Sequence, residues 1–513
     1  MNAVVRSGFT AVVIGLALRT GPLPAQTIAA NPAATCTVSG GRDVGANTDG
    51  VVVRFAASAG ASPLDALTAR ALSTWLSHEL GARAVAPVRP ALAGADTGSR
   101  SLDTTELVRL LEAGERWVIS GDVRESRDGV VVRWRVFDAR LGREVGTGQI
   151  RDDLLWLPRL TGALLNAVGT RTGMASDVLA RRSARLRTRS TPSRKAMESY
   201  LAALYDIESF DVEAQERAVL TLPKVLALDP AFAGAWFALA RAEVHAVSWG
   251  DRPTRRGRSA RLDAAKRAAN RALALDPADV RNLALLAQIH LLRNEPLAAE
   301  QVLTGLQRSA GSLDEVSWLR AELARARGDS LTADRVVDEA GTRIGEHVPM
   351  LFLRAELERR RGRPQLACLA LNRIIVLDAN WAPAYVMRAL VRTALGDRRG
   401  GWADAEIVSR LGRPQWGAAT AALIDVSMGD VATVRRLARQ QFRAEDTHTL
   451  PWLDALLRAA VFHATNDPLR ARQVLGTMSC DDYRRRSLAG DPLLKFLRVP
   501  ARCRVSRPPV SSE

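Results

Sequence analysis

The chain has 513 residues, of which 47% are hydrophobic, 25% charged and only 5% aromatic, with a formal net charge of +17. That length admits two or three domains, and the apolar share excludes wholesale disorder. The positive charge is arginine's, since lysine occurs only at Lys195, Lys224, Lys266 and Lys495. Arginine gathers in two places, at Arg181, Arg182, Arg185, Arg187, Arg189 and Arg194, and at Arg252, Arg255, Arg256, Arg258 and Arg261. Such clusters can hold phosphate, but they also read as a solvated linker and a solvated loop.

Residues 1–25 have the layout of a cleaved signal peptide. Arg6 closes a short basic start, an apolar run covers residues 8–18, and Gly21, Pro22 and Pro24 break the helix before the small Ala25. The run is too short to span a bilayer, and no later stretch is long and apolar enough, so the mature chain is expected to be exported, in the periplasm of a cell with two membranes, and to carry no transmembrane span. Export makes nucleic acid an unexpected partner and disulfides permissible. Of Cys36, Cys368, Cys480 and Cys503, only Cys480 and Cys503 share a short segment, and whether they pair is open from sequence alone. Cys368 reads as a small buried hydrophobe within a helix.

After a flexible segment over residues 26–50, the texture of residues 51–174 is mixed. A buried strand is predicted from Val51, a helix over 64–80 behind Ser62-Pro63, a strand over 84–88, and a helix over 104–113 behind the Asp103 cap. Strands over 117–123 and 130–137 form a hairpin about Arg127-Asp128-Gly129, a short strand follows, and a helix over 153–169 closes a small α/β sandwich. The phrases Val51-Val52-Val53-Arg54-Phe55, Trp117-Val118-Ile119-Ser120-Gly121-Asp122-Val123 and Val136-Phe137-Asp138-Ala139-Arg140-Leu141-Gly142 resemble the amino-terminal module of the exported TolB, CsgG and FlgO group. The resemblance implies an interaction module rather than a catalyst. An arginine-rich linker is expected over 175–195.

From Met197 onward apolar residues recur at helical spacing, with the landmark Ala-Leu-Asp-Pro at Ala227–Pro230 and Ala274–Pro277 and a degenerate copy at Val376–Ala379. Asp276 and Asp378 are 102 residues apart, three times 34. The same step of 34 relates Ala287, Ala321, Ala355 and Ala389, then Ala299, Ala333 and Ala367, the bulky Leu303, Val337 and Leu371, and the turn residues Gly328, Gly362 and Gly396. These residues resemble tetratricopeptide (TPR) repeats, five clear and up to three degenerate over 196–480, with a loop inserted near 248–260 and a tail over 481–513. The expected fold is therefore mainly α, a TPR-type α-α superhelical solenoid preceded by the small α/β sandwich domain.

The first helix of each pair is expected to line a concave face. The residues projected into it are Phe237, Arg241, His245, Gln288, Leu292, Trp318, Glu322, Arg325, Phe352, Glu356, Arg359 and Arg360. That mixture of rings and charges suits an extended peptide or helix of a partner protein, although several could instead pack against neighbouring repeats. No Gly-Lys-Ser/Thr, His-Glu-x-x-His, Gly-x-Ser-x-Gly or Cys-x-x-Cys occurs, and His290 falls on an aromatic core position. The reading is an exported, non-catalytic adaptor without cofactor or metal. A regulatory receptor, with a small ligand in the α/β module and the solenoid relaying its state, is the alternative.

Overall fold

The computed structural model describes residues 51–57, 62–80, 83–84 and, with short interruptions, 116–475. The signal peptide, the 26–50 segment, the helix expected over 104–113, most of the strand over 84–88, the tail, and Cys36, Cys480 and Cys503 lie outside the described residues.

The N-terminal module is a mixed sheet with strand order β2-β1-β3-β4-β5. Strand β1 is Val51–Ala57, β2 Arg83–Ala84, β3 Trp117–Ser126, β4 Gly129–Asp138 and β5 Arg143–Asp152. β1 pairs in parallel with β2 and β3, while β3, β4 and β5 are antiparallel. Every second residue of the central hairpin (Trp117, Ile119, Val123, Val132, Trp134, Val136) enters one core, as the two-residue period of a strand requires. Helices α1 (Pro63–Leu80) and α2 (Leu157–Arg171) pack on the sheet and on each other. A capping box opens α1: Ser62 Oγ accepts from Asp65 N at 3.2 Å and the Asp65 carboxylate accepts from Ser62 N at 2.7 Å. Asp65 also accepts from the Glu125 amide, which fixes the start of α1 to the end of β3.

The stretch expected as a linker is in part a docked helix, α3 (Ser176–Arg187). Leu179 and Leu186, two turns apart, are buried, and Ser183 Oγ donates to the Gly162 carbonyl on α2 at 3.2 Å. Arg181 stays exposed and pairs with Asp177 at 2.8 Å. Two leucines seven residues apart suffice to seat a helix otherwise dominated by charge, and the charge hid them in the sequence.

Sixteen further helices form eight hairpins among the described residues. They are α4 (Arg194–Glu208) with α5 (Val212–Leu228), α6 (Ala233–Trp249) with α7 (Arg258–Leu275), α8 (Val280–Leu292) with α9 (Pro296–Ala310), and α10 (Asp314–Ala326) with α11 (Ser330–Gly341). There follow α12 (Val348–Arg360) with α13 (Pro364–Leu377), α14 (Ala382–Ala394) with α15 (Arg398–Arg410), α16 (Pro414–Ser427) with α17 (Val431–Gln441), and α18 (Trp452–Ala464) with α19 (Pro468–Leu475). The array is a helical-repeat solenoid. Ala287, Ala321, Ala355 and Ala389 are all fully buried, because paired helices can approach closely only over a methyl group. The turns repeat as closely. Gly328, Gly362 and Gly396 have φ of 81°, 71° and 88°, and Asn294 takes the same place with φ 59°. In each, the residue that follows closes the same turn by donating its amide five residues back, from Glu295, Asp329, Arg363 and Asp397 to the carbonyls of His290, Ala324, Glu358 and Arg392.

The first hairpins and the sheet share one apolar core running from Phe55 to Ala242, so the module is built onto the solenoid. A second large core joins the last hairpins, while the middle repeats hold only small clusters.

Candidate functional site

The first helices of successive hairpins touch directly, α4 to α6, α6 to α8, α8 to α10 and α10 to α12, which puts them on the inner side of the curve. Their exposed faces are the candidate surface, and the twelve residues expected there divide into two groups.

Toward the middle of the array the face is largely closed by its own side chains. Glu322, Arg325 and Glu356 are buried rather than open to a partner, with Arg325 Nη1 3.4 Å from Glu322 and 3.1 Å from Glu356. Phe352 is 5% exposed and meets Trp381 edge-on, ring centroids 4.9 Å apart, so it belongs to the core. Arg360 is bound bidentately by Asp334, at 2.7 and 3.4 Å. Burial pushes the Arg359 guanidinium down to about 10. Leu292 packs against the cluster around Ala240 and Val244. The expectation that these side chains face a ligand is thus corrected for Glu322, Arg325, Phe352 and Glu356. The inner helices lie so close that a charge projected between them finds an opposite charge on the next repeat first. His290, expected in the core, is buried and hydrogen-bonded through Nδ1 to Glu295 at 2.6 Å.

Trp318 is half-buried, 5.7 Å from the His347 ring. His347 Nδ1 is out of solvent with no hydrogen-bond partner among the described residues, and burial pushes its pKa from 6.5 down to about 4. Protonation therefore favours the unfolded chain, which binds the proton at the ordinary pKa. The contribution of a neutral His347 should be fully present above pH 6.5 and lost progressively as pH falls toward about 4. His347→Phe should flatten that portion of a stability-versus-pH curve measured by urea unfolding, while leaving the neutral-pH value nearly unchanged.

The open part of the face is its beginning. Phe237 and Arg241 on α6 and Arg281 on α8 form one wall of a cleft, Tyr200, Leu201, Leu204 and Tyr205 on α4 form its floor, and Leu67, Arg70, Ala71 and Trp75 on α1 close it from the module's side. His245 and Gln288 are half-buried further along the same helices. Trp75 and Tyr200 are tilted rings 6.3 Å apart, and Tyr200 rests on Phe232 at 4.7 Å. The Arg70 guanidinium lies 5.1 Å from the centre of the Tyr205 ring and that of Arg281 lies 5.0 Å from Phe237. Asp279 holds Arg281 through both carboxylate oxygens, at 2.9 and 2.7 Å. Sequence reasoning found Phe237 and Arg241 and missed the α1 wall. The signal was present in Leu67, Ala71 and Trp75, which stand four residues apart on one helical stripe, but nothing local says which neighbour that stripe meets.

Among the described residues no helix is long and apolar enough to cross a membrane. No family model matches the chain, and no curated protein matches it. Among solved structures, the human IFIT1 dimer with m7Gppp-AAAA matches at 13% identity over 65% of this chain and 81% of that one, with a TM-score of 0.35. A monomeric IFIT1 mutant with Gppp-AAAA matches at 12% identity over 64% and 81%, again with a TM-score of 0.35. Superposition this loose carries neither the family nor the ligand of those proteins to this chain.

Proposed function

We propose that this chain is an exported, non-catalytic scaffold of the tetratricopeptide kind, which holds a segment of a partner protein along the inner face of its first hairpins. The N-terminal sheet is then an interaction module of the TolB, CsgG and FlgO sort, fixed to the mouth of the solenoid. The observation carrying the reading is the contrast along the inner row. Its middle is closed by ion pairs, whereas its beginning is an open cleft of rings and guanidinium groups. Cys368 supports export. It is not the free buried hydrophobe expected from sequence but is disulfide-bonded, with its partner outside the described residues. A cystine persists in oxidising compartments and is rare in the cytosol.

Two measurements test this reading. A photo-crosslinking residue at Gln288, on the inner row, should trap a defined protein in the native envelope. The same residue at Leu220, exposed on the second helix of the first hairpin, should not. Equal trapping at both sites, or none at either, would remove the scaffold. Separately, Cys368 in protein taken from the native host should resist alkylation in denaturant until a reductant is added. Immediate alkylation, on a chain still carrying Met1, would overturn export.

A further inference from the structure

The N-terminal sheet has one long open edge. Its order β2-β1-β3-β4-β5 ends on β5, ten residues whose second side pairs with nothing among the described residues, whereas the opposite edge is the two-residue β2. A row of unpaired amides and carbonyls of that length is a template for another strand. The ladder with β4 sorts the side chains of β5 by face. Asp152, Ile150, Gly148 and Gly146 stand opposite Val130, Val132, Trp134 and Val136 on the core face, and Arg151, Gln149 and Thr147 lie on the outer one. Beyond Gly146 the register shifts, so that Glu144 stands opposite Phe137 and Arg143 opposite Asp138. Val145 is thus the extra residue of a bulge, which moves Arg143 to the core face and Glu144 to the outer one.

We propose that β5 pairs antiparallel with β5 of a second copy of this chain, about a two-fold axis through Gly148, and so joins two N-terminal sheets into one. A two-fold axis normal to a sheet sets residues of the same face opposite one another. With Gly148 facing its own counterpart, Thr147 meets Gln149, Gly146 meets Ile150, Glu144 meets Arg151 and Arg143 meets Asp152. All four charged residues of the strand then stand opposite an unlike charge, and such cross-strand pairs are what stabilises a sheet. Without the bulge, Glu144 would fall opposite Asp152 about the same axis, acid on acid. Moving the axis one residue, to Thr147 or Gln149, leaves neither ion pair. An edge defended against pairing would oppose like charges instead. The match lies in the order of signs along the strand and requires no side chain to be vacant. Arg151 keeps contacts within its own chain, and Asp152 accepts from Arg159 at 2.8 and 2.6 Å, so an opposing Arg143 joins an existing pair. Arg143, Glu144, Thr147, Gln149 and Arg151 are all exposed. The inference is independent of the scaffold reading, to which it adds a second inner face in the same assembly.

The test is sedimentation velocity of the full-length chain over a concentration series. One strand pair is a small interface, so a reversible monomer–dimer equilibrium with a Kd of roughly micromolar order is expected. E144R and R151E, both changes at exposed positions, each set like charges opposite one another at two places and should weaken the dimer about tenfold. The double variant E144R with R151E exchanges the members of each pair and should restore it. Within one chain these two residues are seven apart in sequence and roughly 20 Å apart along the strand, too far to pair, so a rescue can come only from a second copy. Hydrogen exchange of the unaltered chain supplies an arm in which no variant has to fold. The amides of β5 should exchange more slowly at concentrations above the Kd, while those of α16 should not change. Unchanged exchange in β5 overturns the proposal, as does a chain that stays monomeric far above that Kd. A dimer indifferent to E144R, or a double variant no better than either single one, overturns it equally, since the copies would then meet through another surface.

Discussion

Replacing Glu243 with alanine is expected to lower stability by roughly 3 kcal/mol, toward the lower end of what breaking a buried ion pair costs. Glu243 on α6 is 1% exposed, and its carboxylate accepts from Arg261 Nη1 on α7 at 2.8 Å. Arg261 is itself buried and reaches Glu216 on α5 at 2.7 Å through Nη2, so one guanidinium ties three consecutive helices. Removing Glu243 takes from that buried cation its most buried counter-charge, and the Glu216 carboxylate that also holds it is partly exposed. The cost comes chiefly from the stranded charge, and this has a signature. Converting both partners to apolar residues of similar size, Glu243→Leu with Arg261→Met, should cost less than Glu243→Ala alone. Urea unfolding of the two variants measures the difference, and a double variant worse than the single one would show that the pair's attraction dominates instead.

Arg261 also shows where the sequence misleads. It ends an arginine cluster that reads as a solvated loop, and nothing in its neighbours distinguishes it from Arg258 beside the same turn. The difference is three-dimensional, since carboxylates 18 and 45 residues away converge on it. The repeats were legible because their information is local and periodic: a buried methyl at Ala287, Ala321, Ala355 and Ala389, and a left-handed turn at Gly328, Gly362 and Gly396. The groove was only half legible for the same reason. A step of 34 residues finds the inner helices but cannot say that Glu322, Arg325 and Glu356 will satisfy one another. The cleft was least legible of all, because its α1 wall comes from more than a hundred residues upstream of Tyr200 and Phe237.

The distribution of cores and charges has a mechanical consequence. Between the two large apolar cores, hairpins two to four rely on small clusters, and there ion pairs cross from helix to helix: Arg261 to Glu243, Arg327 to Glu300 and Arg325 to Glu356. Exposed pairs of this kind contribute little, and buried ones fix which helix meets which more than they add stability. The middle of the array should therefore open more readily than either end.

Trp416→Ala tests that division at the far end. Trp416, on α16, is fully buried in the C-terminal core with Val408, Leu411 and Phe462 around the same cluster. Truncating a buried tryptophan costs about 3–5 kcal/mol through lost transfer energy and the cavity left behind. Here the loss should lie toward the upper end, because the equally buried Arg413 guanidinium sits 4.9 Å from the centre of the Trp416 ring and would keep its charge without that face. Trp416→Phe, which retains a ring, should recover a large part of it. In a stacked array each unit contacts mainly its neighbours, so the damage should stay local. Hydrogen exchange should accelerate across α14 to α19, while the amides of β3, β4 and α4 keep their protection, since they belong to the separate N-terminal core. Faster exchange in β3 and β4 would mean that the two cores unfold as one unit, and the cleft would then depend on hairpins it never touches.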